Sequence, residues 1–200
     1  MKQAIDFLIK KDIIFHTIIE TYGIPEIPSR PQGLETLSLL ILEQQVSIDS
    51  AKATFNKLKS QVKTFLPENL ISLSDEEYRS CGVSRQKTKY IKCLSEAILN
   101  ETLDLESLAL KDAETVREEL IKIKGIGNWT VDVYLMFSLQ KQDIIPLGDI
   151  AVVNTMKELL SIQSKEEMEI YAQKWKPYRS MATYLLWHYY LRKRNRRVIY

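Results

Sequence analysis

Cysteine occurs only twice, at Cys81 and Cys93, which excludes a disulfide framework and leaves two reduced thiols. Glycine and proline are also scarce, six of each in 200 residues, and no stretch sustains an alternation of apolar and polar residues. An all-β sandwich or barrel is therefore disfavoured, and an all-α fold is expected. No apolar run approaches the roughly 20 residues that cross a bilayer, the stretch 37–42 being far too short, so no membrane association is expected. No secretory leader precedes Lys2, which together with the free thiols leads us to expect a cytosolic protein. His16 and His188 are far apart and lack cysteine neighbours, so the sequence carries no zinc motif. Neither sign of charge dominates: with 28 Lys and Arg against 26 Asp and Glu, net charge says nothing about a polyanionic partner.

The 45% hydrophobic and 27% charged residues are those of a folded chain, long enough for one body or two small lobes. Arg192, Lys193, Arg194, Arg196 and Arg197 gather near the C-terminus, while 101–119 is mostly acidic. The basic tail reads equally as a solvated end or as a phosphate contact.

Residues 3–22 repeat apolar side chains at helical spacing and stop at Gly23, before a connector punctuated by Pro25, Pro28 and Pro31. A helix is expected from Leu34 to about Gln45, then one capped by Ser47 or Asp49 and running to about Val62, with Pro67 closing the unit. Ser74 with Glu77 makes a capping box, Ser84 caps a helix whose Ile91, Leu94 and Ile98 share a face, and Asp112 starts one that runs into Gly125. The strongly apolar segment 128–139 reads as a helix buried on most sides. Asp149 caps a helix over 150–160, Ser164 with Glu167 repeats the capping box, and a last helix spans 180–194. The sum is roughly ten short helices without an internal repeat.

Two constellations stand out. In the string Leu120-Ile121-Lys122-Ile123-Lys124-Gly125-Ile126-Gly127-Asn128-Trp129-Thr130, two helices meet across a Gly-x-Gly turn. Such a turn is either an ordinary tight connection or an anion site, since glycines admit positive φ and the next helix N-terminus presents its amides. Downstream, Pro146-Leu147-Gly148-Asp149 presents an acid at a loop-to-helix junction, which by itself is most simply an N-cap.

Together and in this order, the two resemble the helix-hairpin-helix superfamily of base-excision DNA glycosylases, which carries a hairpin followed by a Gly/Pro-rich loop and a catalytic Asp. The resemblance is closer to the bacterial 3-methyladenine DNA glycosylase II branch, without its N-terminal β-domain. It is carried by the hairpin, by Glu43-Gln44-Gln45-Val46-Ser47, by Gly82-Val83-Ser84-Arg85-Gln86-Lys87, and by the run from Tyr171-Ala172-Gln173-Lys174-Trp175-Lys176-Pro177-Tyr178-Arg179-Ser180 to Trp187, together covering about residues 34–190. It implies two helical lobes, 34–139 ending in the hairpin and 1–33 with 140–200, with a DNA-binding cleft between them for a base flipped out of the duplex.

The resemblance also implies roles. Asp149 would be the catalytic carboxylate. Trp129 and Trp187 match aromatic positions of the base pocket; read alone, each tryptophan is more simply core. Gln45 falls where the family inserts a wedge into the duplex, and by itself it is an ordinary loop side chain. Gly125, Gly127, Asn128, Thr130, Ser47, Arg85, Lys87 and Arg179 would serve DNA binding, although surface solvation explains each basic residue separately. The backbone carbonyls of Ile121, Ile123 and Ile126 match positions that bind a sodium or potassium ion. No cofactor is expected for catalysis, and no four-cysteine cluster follows Trp187, so no iron–sulfur cluster is expected.

Two departures matter. The lysine that forms a Schiff base in strand-cleaving members is replaced by Trp129, so a monofunctional enzyme without lyase activity is expected. Where the bacterial enzyme has an aromatic pocket residue stands Val133, with Tyr134 displaced by one and expected, with Trp129 and Trp187, to line the base pocket. The reading is a monomer acting on double-stranded DNA with damaged bases, excising 3-methyladenine or 7-methylguanine. The alternatives are a glycosylase for oxidised or deaminated bases, a non-catalytic DNA-structure-binding protein of the same fold, and a helical protein-interaction module.

Overall fold

Twelve α-helices and two 3-10 turns, with no strand among the described residues, grow from the caps written into the sequence. The structure, a computed structural model, describes residues 1–196; Arg197 of the basic tail lies outside them. No helix among the described residues is long and apolar enough to cross a membrane. The chain divides into two units, Met1–Ser29 with Gln140–Tyr200, and Arg30–Leu139.

In the first unit, α1 (Lys2–Lys11) and α2 (Ile13–Tyr22) replace the single helix expected over 3–22. Asp12 breaks it. Its backbone is extended, with φ at −153°, and its carboxylate is buried as the acceptor for the Trp175 indole N–H at 3.1 Å and the partner of Lys174 Nζ at 2.9 Å. Helical periodicity continues through position 12, but only the broken geometry delivers that carboxylate to the core. Trp175 is fully enclosed, edge-on to Phe15 at 5.1 Å and to Tyr171 at 5.6 Å. The unit is completed by α10 (Ile150–Leu160), α11 (Lys165–Ala172) and α12 (Arg179–Lys193), with α2 and α10 packed on α12. The capping box of Ser164 and Glu167 forms as expected.

The second unit is clasped at its ends. The Arg30 amide donates to the Phe137 carbonyl at 3.0 Å, and its guanidinium forms a two-pronged pair with buried Glu43, at 2.9 and 2.8 Å, while lying over the Phe137 ring. Residues 30–33 of the connector thus belong with this unit. Its helices are α3 (Leu34–Glu43), α4 (Ile48–Gln61), α5 (Pro67–Ser72), α6 (Asp75–Ser80), α7 (Arg85–Leu99), α8 (Ala113–Leu120) and α9 (Asn128–Phe137). Ser47, Ser74, Ser84 and Asp112 cap α4, α6, α7 and α8 as the sequence indicates. Pro67 opens α5 instead of closing a unit, because the first helical position has no use for an amide N–H. Every residue of α9 from Thr130 to Phe137 is buried, as expected of its apolar sequence.

α8 stops at Leu120 instead of running to Gly125. Residues 121–127 form the hairpin turn, stitched by bonds from the Ile123 amide to the Leu120 carbonyl (3.1 Å) and from the Ile126 amide to the Ile123 carbonyl (3.0 Å). The two glycines have different grounds. Gly125 takes a φ of +96°, and a Cβ there would lie 2.0 Å from Cγ of Tyr90. Gly127 has φ at −104°, and a Cβ there would meet nothing within 4 Å.

Two predictions follow from these contacts. Asp12→Ala removes a cap and strands a buried indole N–H, so urea unfolding should show a loss of about 2–3 kcal/mol. By the same measurement Gly125→Ala should lose about 3 kcal/mol through strain and overlap, whereas Gly127→Ala should stay within about 0.5 kcal/mol of wild type.

Candidate active site and nucleic-acid interface

The hairpin delivers the N-terminus of α9. Its N-cap, Gly127, has no side chain to accept the first amides of the helix, which leaves these amides and the positive end of the helix dipole without a side-chain cap, a disposition suited to receiving an anion. The hairpin is braced from within: Arg117 on α8 donates to Asn128 Oδ1 at 3.2 Å and pairs with buried Asp132 on α9. Ile126 is buried, anchoring the turn, while Lys122 and Lys124 are exposed beside it. Trp129 is half-buried. Thr130 is buried, and its hydroxyl accepts from Gln44 Nε2 at 3.1 Å. Tyr134, expected at the base pocket, is instead fully enclosed in the core of this unit, because its hydroxyl turns inward to accept the Gly33 N–H at 3.1 Å; burial raises its pKa.

The loop after α3 ends that helix two residues earlier than its pattern suggests. Gln44 is extended in ψ, and Gln45 turns left-handed, with φ at +59°. Gln45 and Val46 are exposed, and Ser47 accepts the Ser50 amide as the cap of α4. Arg85 is exposed on α7. Lys87, two residues on, points its ammonium at the carbonyls of Leu42 (2.7 Å) and Gln44 (2.8 Å), and burial lowers its pKa. Its charge is thus engaged with the loop backbone.

In the first unit, Pro146-Leu147-Gly148-Asp149 closes a turn through the Asp149 amide on the Pro146 carbonyl at 2.9 Å. Asp149 then caps α10: its Oδ1 accepts the amides of Ala151 at 2.9 Å and Val152 at 3.1 Å. A third donor reaches the same oxygen, the indole N–H of Trp187 on α12 at 3.0 Å. The structure therefore brings Asp149 and Trp187 together, with the carboxylate held by three donors from two helices. A carboxylate fixed in this way is suited to facing a developing positive charge without reorganising. Arg179 opens α12 with its guanidinium on both oxygens of Asp143 (2.7 and 3.0 Å) and on Glu169 (3.1 Å), an arrangement internal to this unit. In the basic tail, Lys193 and Arg194 pair with Glu158, and Arg192 and Arg196 are exposed.

Sequence reasoning missed Gln44, Tyr90 and Arg117, and also missed that the Trp187 N–H reaches Asp149. The only local sign was that Lys87 and Tyr90 stand three apart on α7 and so share a face. Among the described residues, no three His, Cys, Asp or Glu side chains are grouped to hold a metal.

Comparison with known proteins places these features. A family model described as HhH-GPD superfamily base excision DNA repair protein matches residues 39–180. The chain is 32% identical over 155 residues to the alkylbase DNA glycosidase-like protein mag2 of Schizosaccharomyces pombe, covering 74% of this chain and 73% of the relative. It is 32% identical over 167 residues to DNA-3-methyladenine glycosylase 1 of the same yeast, covering 79% and 72%. The crystal structure of DNA-3-methyladenine glycosidase from Bacillus halodurans superposes with a TM-score of 0.82 at 32% identity, over 94% of this chain and 88% of that one. Because the family match takes in the loop after α3, the hairpin and the Asp149 turn alike, the chain belongs to the HhH-GPD superfamily of base excision DNA repair proteins.

Proposed function

We propose that the chain is a monofunctional DNA glycosylase that excises alkylated bases of the 3-methyladenine and 7-methylguanine type from double-stranded DNA, acting as a monomer and leaving an abasic site. The observation that carries this is the Asp149 carboxylate, immobilised by two helix amides and the Trp187 indole. Relatives at 32% identity are named for alkylated-base glycosylases, and a structure at 26% identity with a TM-score of 0.82, 3-methyladenine DNA glycosylase Mag1 of S. pombe, is described in complex with abasic DNA.

The chemistry is hydrolysis of the bond between C1′ and the base nitrogen. The bonding electron pair leaves with the base, positive charge builds on the sugar opposite Asp149, and water adds its oxygen to C1′ and releases a proton. An alkylated base is already cationic and departs neutral, so the carboxylate has charge to stabilise and little proton transfer to perform. Trp129 stands where a Schiff-base lysine would be needed for strand cleavage, which supports hydrolysis alone. At the DNA, the amides after Gly127 would take a phosphate, with Gln45 entering the duplex. A monovalent cation would be held by the carbonyls of Ile121, Ile123 and Ile126 and would help neutralise that phosphate. The Ile123 oxygen already accepts the Ile126 amide, and its second lone pair can still coordinate.

Release of free bases from methylated duplex DNA, resolved by chromatography, tests the reading. Wild type should release 3-methyladenine or 7-methylguanine without a borohydride-trapped protein–DNA adduct. Asp149→Asn should lower the single-turnover rate by about 10²–10³-fold and leave DNA affinity within a few-fold; turnover near wild type would remove Asp149 from catalysis. Trp187→Phe keeps the ring and deletes the N–H, so the rate constant should fall about tenfold with KM little changed. A rise in KM alone would instead make Trp187 a surface for the base.

A further inference from the structure

Two parts of the second unit project toward a nucleic acid in the proposed function, the hairpin and the loop that carries Gln45. A single side chain joins them. Gln44 Nε2 donates to the Gly125 carbonyl at 2.8 Å and to Thr130 Oγ1 at 3.1 Å, reaching both the turn and the first turn of α9. The carbonyl of Gln44 accepts from Lys87 Nζ, which also holds the Leu42 carbonyl. α7 completes the connection: one helical turn beyond Lys87, Tyr90 fills the space over Gly125, with its hydroxyl accepting from Gln86.

Packing does little to hold this loop. Gln45 and Val46 are exposed and line, with Thr54, Ser84 and Gln86 among others, a cavity of about 440 Å³. A loop with exposed side chains and one left-handed residue depends on directional bonds for its position, some to α7 through Lys87 and some through Gln44. Those made by the Gln44 side chain run to the hairpin.

We infer that Gln44 is a positioning residue that fixes the Gln45 wedge at a set offset from the phosphate-binding hairpin, so that docking of the hairpin on the backbone aims the wedge at the base step. The inference rests on the glycosylase reading for its consequence, base extrusion. Undamaged duplex held through phosphates uses the hairpin alone and is insensitive to the tie. A duplex that must be opened uses both parts in register and depends on it.

The test uses the full chain and a duplex with 2-aminopurine beside a tetrahydrofuran abasic analogue, whose fluorescence rises when the stack is opened. Gln44→Met preserves length and removes both donors; Gln44→Asn keeps the amide but shortens its reach. Either variant should lower the equilibrium fraction of opened duplex about tenfold, as expected for two lost bonds that leave an acceptor unsatisfied. Binding to undamaged duplex should stay within about twofold, with thermal midpoints within a few degrees. Opening at the wild-type level in both variants overturns the inference. So does an equal loss of opening and of undamaged binding, which would make Gln44 a brace for the hairpin alone. Base release by wild type, run alongside, separates the two readings. Release with no fluorescence difference between wild type and variants sinks the positioning role only. No release, with opening lost in the variants, sinks the glycosylase reading and leaves the positioning role standing.

Discussion

The ring of Tyr90 occupies the volume that any side chain at position 125 would need, and the second unit's functional surface follows from that exclusion. With a bare backbone at 125, the turn takes positive φ, approaches α7, and offers its carbonyl to Gln44. The start of α9 is then set, Ile126 is buried beneath it, and Gly127 leaves the helix amides without a side chain in front. One glycine answers an internal steric demand, whereas a Cβ at the other would meet nothing within 4 Å. The motif Gly-Ile-Gly is symmetrical on paper, but its two ends answer to different partners.

Under the proposed function, Asp149 combines a structural and a chemical role in one side chain. The cap predicted from its position is real, with both amide bonds on Oδ1. Capping fixes the carboxylate's direction, and a carboxylate of fixed direction is what stabilisation of a cationic sugar requires. The Trp187 indole adds a donor from a second helix, so the acid's position depends on the packing of α10 against α12 as well as on its own turn. The family resemblance implied Trp187 as a wall for the base, whereas read alone it was core; the structure gives its N–H to Asp149.

Local chemistry was the legible part of the fold. Ser47, Ser74, Ser84, Asp112, Asp149 and Ser164 all cap the helices their spacing indicates, because a cap is decided within three residues. The break at Asp12 was not legible, since its reason lies at Trp175 and Lys174, far along the chain. Pro67 was read as a stop because a proline ends one helix as readily as it begins another. Of the site, the motif residues could be named from their strings. Their connections through Gln44, Lys87, Tyr90 and Arg117 could not, because each is a contact between side chains that periodicity treats as unrelated.

The clasp of Arg30 on Phe137 and Glu43 has a consequence for how the chain is assembled. It joins the point where the chain enters the second unit to the point where it leaves, so that unit is closed upon itself, like an insertion whose ends lie together. The first unit is built from two stretches separated by this whole insertion, and bringing them together from an open chain would carry the entropy of a very long loop. Once the second unit has folded, the stretches before residue 30 and after residue 139 emerge side by side, and the loop is already closed. The clasp at Arg30 thus shortens the loop that the two stretches of the first unit must close.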